Sequence, residues 1–586
     1  MKQIIIAFCM LTTGLVHAQS SLTATWLRHT CGYTNGVNLL GGDVWGDAVC
    51  ADNFGNSYNS GSAMGYWFTM DTVIDMNTNR FYINKYNSDG RRIWTAMAKG
   101  TTINSIMTST RMKCDSLGNV YVCGIFSVDD SVYMAPNWYP IGSGFVAKYD
   151  SSGNNIWCRY IPRTGTTAIS FTDMALVNSK IYLCGNMGFG TQSFGTFNFN
   201  STQSQNGIIA QLDLNGNILT AEQLDPHSVN EIHGIEVSKN TNQVYLVGRH
   251  ISSPLSVDGQ NLSLTPDAQN SFIIKMSNSF TAIWAKKCDT YLHINQTVGS
   301  SVTCLRRIEL DKFDNIYAIA SGNGDSTVIG SLKFNHRISP NGSYAQDIYI
   351  VKLNSNGQEV WLRNGGSDGM DEVSDIATDE WGNSVISVFS NLQSVSGLIF
   401  NTDTIPQWHG GIVKYDPDGN LLYTAKLQEA RSLRALAMGK DSVFYGTGHG
   451  FSTGLPYLNL SITQCEDTVN GYYNPPYKMV MVKFFDSTSV QTTGIENYEN
   501  KFQNLIVYPN PFSSIVNLEF NLLENNKNVS ISIMDIAGRT VKNIPSENLQ
   551  PGKNKITLDL SDLNSGIYFC KINSSEYLQI VKFIKN

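Results

Sequence analysis

Phe145-Val-Ala-Lys148-Tyr-Asp150-Ser-Ser-Gly153-Asn-Asn-Ile-Trp157 is the stretch on which the fold turns. Apolar residues alternating around Lys148 predict a half-buried strand. Asp150 and Gly153 then predict a tight turn, because Asp bonds its own backbone and Gly accepts positive φ. Trp157 opens a second strand four residues beyond the glycine. The unit is a hairpin, and it recurs.

Aligned on the lysine, the copies fall at Lys85, Lys148, Gln211, Lys275, Lys352, Lys414 and Lys483, at intervals of 62 to 77 residues. The turns are Asn87-Ser-Asp-Gly90, Asp150-Ser-Ser-Gly153, Asp213-Leu-Asn-Gly216, Asn354-Ser-Asn-Gly357 and Asp416-Pro-Asp-Gly419. An aromatic follows in Trp94, Trp157, Trp284, Trp361 and Tyr423, with Thr220 the exception. A second hairpin precedes each first one. It is clearest in Asp52-Asn-Phe-Gly55-Asn-Ser-Tyr58 and Asp115-Ser-Leu-Gly118-Asn-Val-Tyr121. Two hairpins per repeat give four short strands, the content of one propeller blade.

The expected fold class is therefore all-β. The seventh copy stops at Asp486 without its outer strand, and Thr23-Ala-Thr-Trp26 supplies one at the other end of the chain. That predicts a seven-bladed β-propeller over residues 19–486, closed by the N-terminal strand, which removes open sheet edges. The repeat resembles the bacterial SBBP-type β-propeller repeat in its Asp-x-x-Gly-Asn-x-Tyr and Phe-Val-x-Lys-Tyr-Asp elements. That family implies the fold and little about activity. The Asp-box of sialidases does not fit, since Asp89 abuts Gly90 and Trp94 falls one residue late. The quinoprotein repeat does not fit either, since its Asp lies four residues before the Gly.

Both ends of the chain speak of export. Lys2, the apolar run Ile4 to Leu11 and Val16-His17-Ala18 form a signal-peptide pattern over residues 1–18. After a polar linker at 487–493, residues 494–586 change texture to alternating strands separated by Gly, Asn and Pro, which predicts a small Ig-like β-sandwich. Tyr508-Pro509-Asn510-Pro511-Phe512, Gly538, Gly566-Ile-Tyr568 and a final Lys585 resemble the type A sorting domain of the type IX secretion system. The resemblance implies a Bacteroidota protein, recognised by that secretion machinery and delivered to the cell surface or the medium through periplasm and outer membrane.

Composition excludes several functions. Charged residues are 15% of the 586, Gly numbers 50, and the formal net charge is −7. A mildly acidic chain without a Lys/Arg stripe is no nucleic-acid binder. No later apolar run reaches the length of a transmembrane segment. There is no Cys-x-x-Cys pair, nucleophile elbow or phosphate loop, so no catalytic residue is assigned. Cys123 and Cys184, at equivalent repeat positions, are expected to be small core residues. His250 is expected at the surface.

Two residue groups remain as site candidates. Aromatics in the connectors, Tyr66, Trp67, Trp138, Tyr139, Trp408 and His409, suit a sugar ring or a protein partner. The acidic connectors holding Asp43, Asp47, Asp368 and Asp371 could take Ca²⁺ but are expected to be solvated loops; no other cofactor is implied. The expected function is a surface binding protein. A glycan hydrolase or lyase using those acids, and a structural surface-layer component, are the alternatives.

Overall fold

A computed structural model describes residues 22–33, 44–63, 67–70, 72–75, 80–100, 106–127, 131–139, 142–162, 168–251, 253–292, 304–337, 345–390, 396–406, 410–427, 430–440, 442–451, 477–486, 502–522, 526–535, 540–549, 552–573 and 578–586. The expected signal peptide and linker lie outside them. The described residues form strands and turns without a helix. Among the described residues no helix is long and apolar enough to cross a membrane. The chain divides into two compact units, Met1–Val490 and Gln491–Asn586.

Among the described residues the larger unit holds seven antiparallel sheets, each with a four-stranded body that an added hairpin extends to six strands in three of them, and three separate two-stranded hairpins. The first is Val44–Ala51, Ser57–Ala63, Arg80–Tyr86 and Arg92–Gly100, paired in chain order. Five more follow over 106–162, 169–223, 229–291, 304–365 and 371–427. The seventh joins Ala430–Met438, Val443–Phe451 and Tyr477–Asp486 to Leu22–Tyr33. The N-terminal strand pairs antiparallel with the last strand of the unit, Arg28 opposite Met481. The first strand of each sheet touches the first strand of the next, and that of the seventh touches that of the first.

Turn chemistry explains the repeated hairpins. Asp52 Oδ1 accepts the Phe54 and Asn56 amides, each at 2.9 Å, while Oδ2 accepts Asn56 Nδ2 and the Tyr58 hydroxyl. Asp115 and Asp311 repeat the arrangement with Tyr121 and Tyr317. The Asp-x-x-Gly-Asn-x-Tyr pattern is thus a hydrogen-bonded box that satisfies the turn's own amides.

The lysine and the aromatic lie opposite each other, as in Lys148↔Trp157, and both reach the next sheet. Trp157 Nε1 donates to the Leu214 carbonyl at 3.1 Å, and Lys148 Nζ donates to the same oxygen. The Trp157 ring covers Gly216, where an added Cβ would sit 2.9 Å from it and φ is +79°. Glycine is required there twice, for its backbone and for the close approach. Trp94 against Gly153, Trp284 against Gly357, Trp361 against Gly419 and Trp26 against Gly90 repeat the contact. Trp26 and Lys483 carry it from the seventh sheet to the first, both donating to the Ser88 carbonyl.

The exception explains itself. Thr220 lies opposite Gln211 rather than a lysine, and the turn it faces carries Phe280 in place of glycine. Phe280 is fully buried and held at φ 64°, so its side chain supplies volume that a tryptophan supplies elsewhere. Phe280→Gly is expected to cost about 2–4 kcal/mol as a cavity, partly offset by relief of the left-handed backbone. Adding Thr220→Trp should recover most of that loss. Denaturant unfolding of both variants checks this, and equal losses would mean that the two sites are not coupled.

The smaller unit packs a three-stranded sheet, Phe502–Tyr508, Ile515–Leu522 and Gly552–Asp559, with a four-stranded one, Asn526–Met534, Thr540–Leu549, Gly566–Asn573 and Leu578–Lys585. Phe512, Leu518, Ile533, Leu558, Tyr568 and Phe583 lie in its core. Alternation in Ile556-Thr-Leu-Asp-Leu560 turns every second side chain inward.

Candidate functional site

Each first strand of the larger unit carries a β-bulge, at Asp47, Thr110, Thr172, His233, Arg306, Ser374 and Arg434. A bulge sets two successive side chains on nearly the same side. Polar doublets result where a regular strand would alternate. Thr110 and Thr172 bridge sideways, donating to the carbonyls of Phe171 and Ile232 on the neighbouring first strands at 2.9 Å.

The residues after four of these bulges form a buried charge network. Arg111 Nε donates to Asp173 Oδ1 at 2.8 Å, and Nη1 donates to Asp375 Oδ2 at 2.8 Å, from the second sheet to the third and the sixth. Arg307 stands 3.7 Å from Asp173 and 3.6 Å from Asp375. Both carboxylates also accept backbone amides of the following sheet, Ile235 for Asp173 and Leu436 for Asp375. Charges this deep persist only when paired and hydrogen-bonded. The space between the first strands is filled at this level.

Two cavities flank the network at the end where the first strands finish. One of about 230 Å³ is lined by Cys50, Arg111, Lys113, Lys239 and Glu309, and one of about 330 Å³ by Lys113, Glu236, Lys239, Glu309 and Lys312. Burial holds the Glu309 carboxyl well above its usual range, against the pull of Lys113. Cys50 and Cys114, one repeat apart on neighbouring first strands, are joined by a disulfide beside the smaller cavity.

The described acidic candidates are each engaged by different neighbours. Asp43 lies outside the described residues. Asp47 accepts Arg434 Nη1 at 2.8 Å and the Ser62 hydroxyl at 3.4 Å; burial pushes its carboxyl up against the pull of Arg434. Asp368 accepts the Ser396 amide and hydroxyl. Asp371 corrects the expectation of a solvated loop. It begins the strand Asp371–Thr378, is fully buried and takes the Ser367 amide and hydroxyl. Burial pushes it up to about 7 despite the Ser367 bonds. Among the described residues no group of three or more His, Cys, Asp or Glu could hold a metal ion. His250 is a second correction: it is buried, with Nδ1 3.1 Å from the Ser253 carbonyl. Cys123 and Cys184 are buried free thiols.

Of the aromatic candidates, Tyr66, Trp408 and His409 lie outside the described residues, and Trp67 is described only in its backbone, opposite Tyr33. Trp138 and Tyr139 fall in a hairpin, Val132–Met134 with Asn137–Tyr139, which adds to the outer strand of the first sheet. They part company there. Tyr139 donates to Asn155 Oδ1 at 3.1 Å and meets Tyr160 edge-on. Trp138 is 54% exposed and lies against Tyr133, ring centroids 5.0 Å apart. Tyr133 also lines a cavity of about 400 Å³ with Thr95, Met97, Ala135, Tyr149 and Gly153. The buried Tyr149 hydroxyl has no hydrogen-bond partner among the described residues. The sequence pointed to Trp138 but not to Tyr133 or Tyr149, which join it only through the hairpin and the neighbouring sheet.

In the smaller unit the motif residues have structural work. Asn510 Oδ1 accepts the Ile584 amide, and the Phe512 amide donates to the Ile584 carbonyl, both at 2.9 Å. Lys585 Nζ is buried on the Leu560 and Ser561 carbonyls, Tyr508 donates to Glu519 and Tyr568 to the Asn564 carbonyl. Pro509 and Pro511 are exposed, Gly566 opens a strand, and Gly538 lies outside the described residues. The motif thus ties the segment around Asn510 to the final strand.

Residues 506–586 match the family described as the secretion system C-terminal sorting domain. This is the sorting domain of the type IX secretion system, and it marks the protein for export to the cell surface or for secretion. No curated protein matches the chain by sequence. Among solved structures, the chain is similar to a member of the DUF4221 family from Bacteroides vulgatus, at 9% identity over 79% of this chain and 97% of that one, TM-score 0.28. It is also similar to PorZ, a surface component of the type IX secretion system of Porphyromonas gingivalis, at 10% identity over 97% and 100%, TM-score 0.13. A quinoprotein alcohol dehydrogenase-like protein from Bacteroides thetaiotaomicron shares 10% identity over 68% and 96%, TM-score 0.18. Likenesses at these scores decide neither fold nor function.

Proposed function

We propose that this protein is an exported, non-enzymatic binding protein whose seven sheets are the blades of an SBBP-type β-propeller carried by a type A sorting domain, and that it takes a saccharide beside Trp138. The propeller reading is supported by seven repeated sheets, all but the third latched to the next by a lysine and an aromatic, and by Trp26 and Lys483 reaching from the seventh to the first. The binding reading rests on one observation. A buried hydroxyl without a partner among the described residues, that of Tyr149, lines a cavity together with Tyr133, whose ring lies tilted against that of exposed Trp138.

A sugar ring offers what that site lacks: an apolar C–H face for the aromatic pair and hydroxyls for Tyr149. A buried hydroxyl without a partner costs about 1–3 kcal/mol, which a ligand hydroxyl would recover. The reading needs no cofactor. The hydrolase or lyase alternative draws less support, because Asp47, Asp368 and Asp371 are each engaged by neighbouring residues.

Binding of the full chain to a broad oligosaccharide panel, followed by calorimetry, tests the site. Trp138→Ala should weaken binding about tenfold, since a stacked aromatic contributes about 1.5 kcal/mol. Tyr149→Phe should lose a similar factor yet leave thermal stability unchanged or raised, because the hydroxyl bonds nothing in the free protein. Silence across the panel, or affinity that survives both substitutions, would remove the assignment.

A further inference from the structure

Three elements wall the cavity that Tyr133 and Tyr149 share, and they leave it poor in polar groups. The outer strand of the first sheet, Arg92–Gly100, contributes Thr95, Ala96 and Met97; the added hairpin contributes Tyr133 and Ala135; the second sheet contributes Tyr149. The hairpin pairs Met134 with Ala98, and continuing that register brings Ala135 alongside Met97. No described lining side chain is charged. The Thr95 hydroxyl donates to Asn84 Oδ1 at 2.7 Å. Tyr149, only 2% exposed, holds a hydroxyl without a partner among the described residues. The cavity therefore offers that hydroxyl next to a wall of methyl and thioether groups.

We propose that the sugar held beside Trp138 is a neutral 6-deoxyhexose, inserted by the edge that carries its C5 methyl and its C4 hydroxyl. The inference rests on the saccharide reading of the same cavity and narrows it to one class of sugar. In a 6-deoxyhexose the methyl and the C4 hydroxyl stand on neighbouring ring carbons, so one edge presents both. The hydroxyl meets Tyr149, whose phenol both donates and accepts. The methyl meets Ala96, Met97 and Ala135 and leaves water for an apolar wall. The C–H face of the ring is left for Trp138, which is exposed and tilted against Tyr133.

Polarity, not size, selects the sugar. An ordinary hexose carries a hydroxymethyl where the 6-deoxy sugar carries its methyl. That extra hydroxyl would be desolvated against Met97 and the two alanines, with no bond to replace the water it loses. A uronic acid carries a carboxylate at the same place, and no described cation lines the cavity to pair with it. The three sugars differ little in volume, and a cavity of about 400 Å³ admits each of them.

The test is calorimetry of the full chain with methyl glycosides matched in configuration and differing only at C6, as methyl, hydroxymethyl or carboxylate. The galacto, manno and gluco series are each taken in D and L forms. In the series that binds, the 6-deoxy member should bind about tenfold tighter than its hydroxymethyl counterpart, the scale on which an apolar pocket tells such groups apart. The carboxylate should be the weakest of the three. Met97→Gln gives the hydroxymethyl a partner and should bring the ratio of the first two near one. Tyr149→Phe should weaken both by a similar factor and leave their ratio alone, and melting curves show whether each variant is folded. Equal affinities within the wild-type pair, a preference for the carboxylate, or a ratio untouched in folded Met97→Gln protein would overturn the 6-deoxy assignment. If binding still fell with Trp138→Ala, the saccharide reading would stand without it. No binding in any series, or binding indifferent to Trp138→Ala and Tyr149→Phe, would end both.

Discussion

A chain ending before residue 494 should accumulate in the periplasm, folded and undelivered, with surface and medium levels reduced to background. The smaller unit contains everything the matched sorting domain covers, residues 506–586, and has its own core around Phe512, Leu518 and Phe583. The larger unit is compact in itself. Its melting temperature should therefore survive the deletion, which separates a sorting defect from a folding defect. A subtler variant probes recognition within the unit. Asn510→Ala removes the acceptor of the Ile584 amide and loosens the final strand at a cost of about 1–2 kcal/mol. Delivery should fall in proportion to the disorder of that strand. Fractionation with protease shaving measures both variants, and a truncated protein found at the surface would end the sorting assignment.

Arg111→Met is expected to be the most damaging single change in the larger unit, at about 3–5 kcal/mol, the usual cost of breaking a buried ion pair on one side. Two carboxylates would lose their principal counter-ion at once, leaving Arg307 at 3.6 and 3.7 Å as their remaining cation. Asp173→Asn and Asp375→Asn together with Arg111→Met should regain only part of the loss, because the carboxylates no longer need a counter-charge but Arg307 loses both of its own. Both carboxylates also accept amides from the next sheet, so the recovery should be incomplete. Denaturant unfolding of the single and triple variants decides the matter. A single variant within 1 kcal/mol of wild type, a margin typical of surface sites, would mean that the network contributes little.

The repeat was legible because its causes are local. Asp150, Gly153 and Trp157 sit within one hairpin, and each announces its role by spacing alone. Even the substitution of Thr220 was visible, though its partner Phe280 became meaningful only when the two sheets were seen to meet. The charge network was not legible, because Arg111 finds Asp375 from 264 residues away. Its trace in the sequence is the polar doublet, Thr110-Arg111, Thr172-Asp173 and Ser374-Asp375, which breaks the alternation of a strand where a bulge intervenes. The Cys50–Cys114 bridge left a similar trace, one cysteine just before each of two equivalent turns. His250 was misjudged because strand ends look exposed in a sequence. Here a following turn folds back, and the Ser253 carbonyl meets the ring. The connector holding Trp138 proved to be a hairpin lying against a neighbouring sheet, Val132–Met134 with Asn137–Tyr139, so the sequence located Trp138 without its companions.

The pairing of Leu22–Tyr33 with Tyr477–Asp486 imposes an order of events on export. Thr25 bonds the Lys483 carbonyl across 458 residues of chain. An N-terminal strand entering the periplasm first has no partner until almost all of the larger unit has followed it. Closing so long a loop is entropically costly and comes late in folding. The seventh sheet is then a checkpoint of translocation: it forms only on chains that have crossed nearly to residue 486, just before the sorting domain emerges. A polypeptide interrupted midway would keep the edges of Leu22–Tyr33 and its last completed sheet open, and open edges invite aggregation and proteolysis.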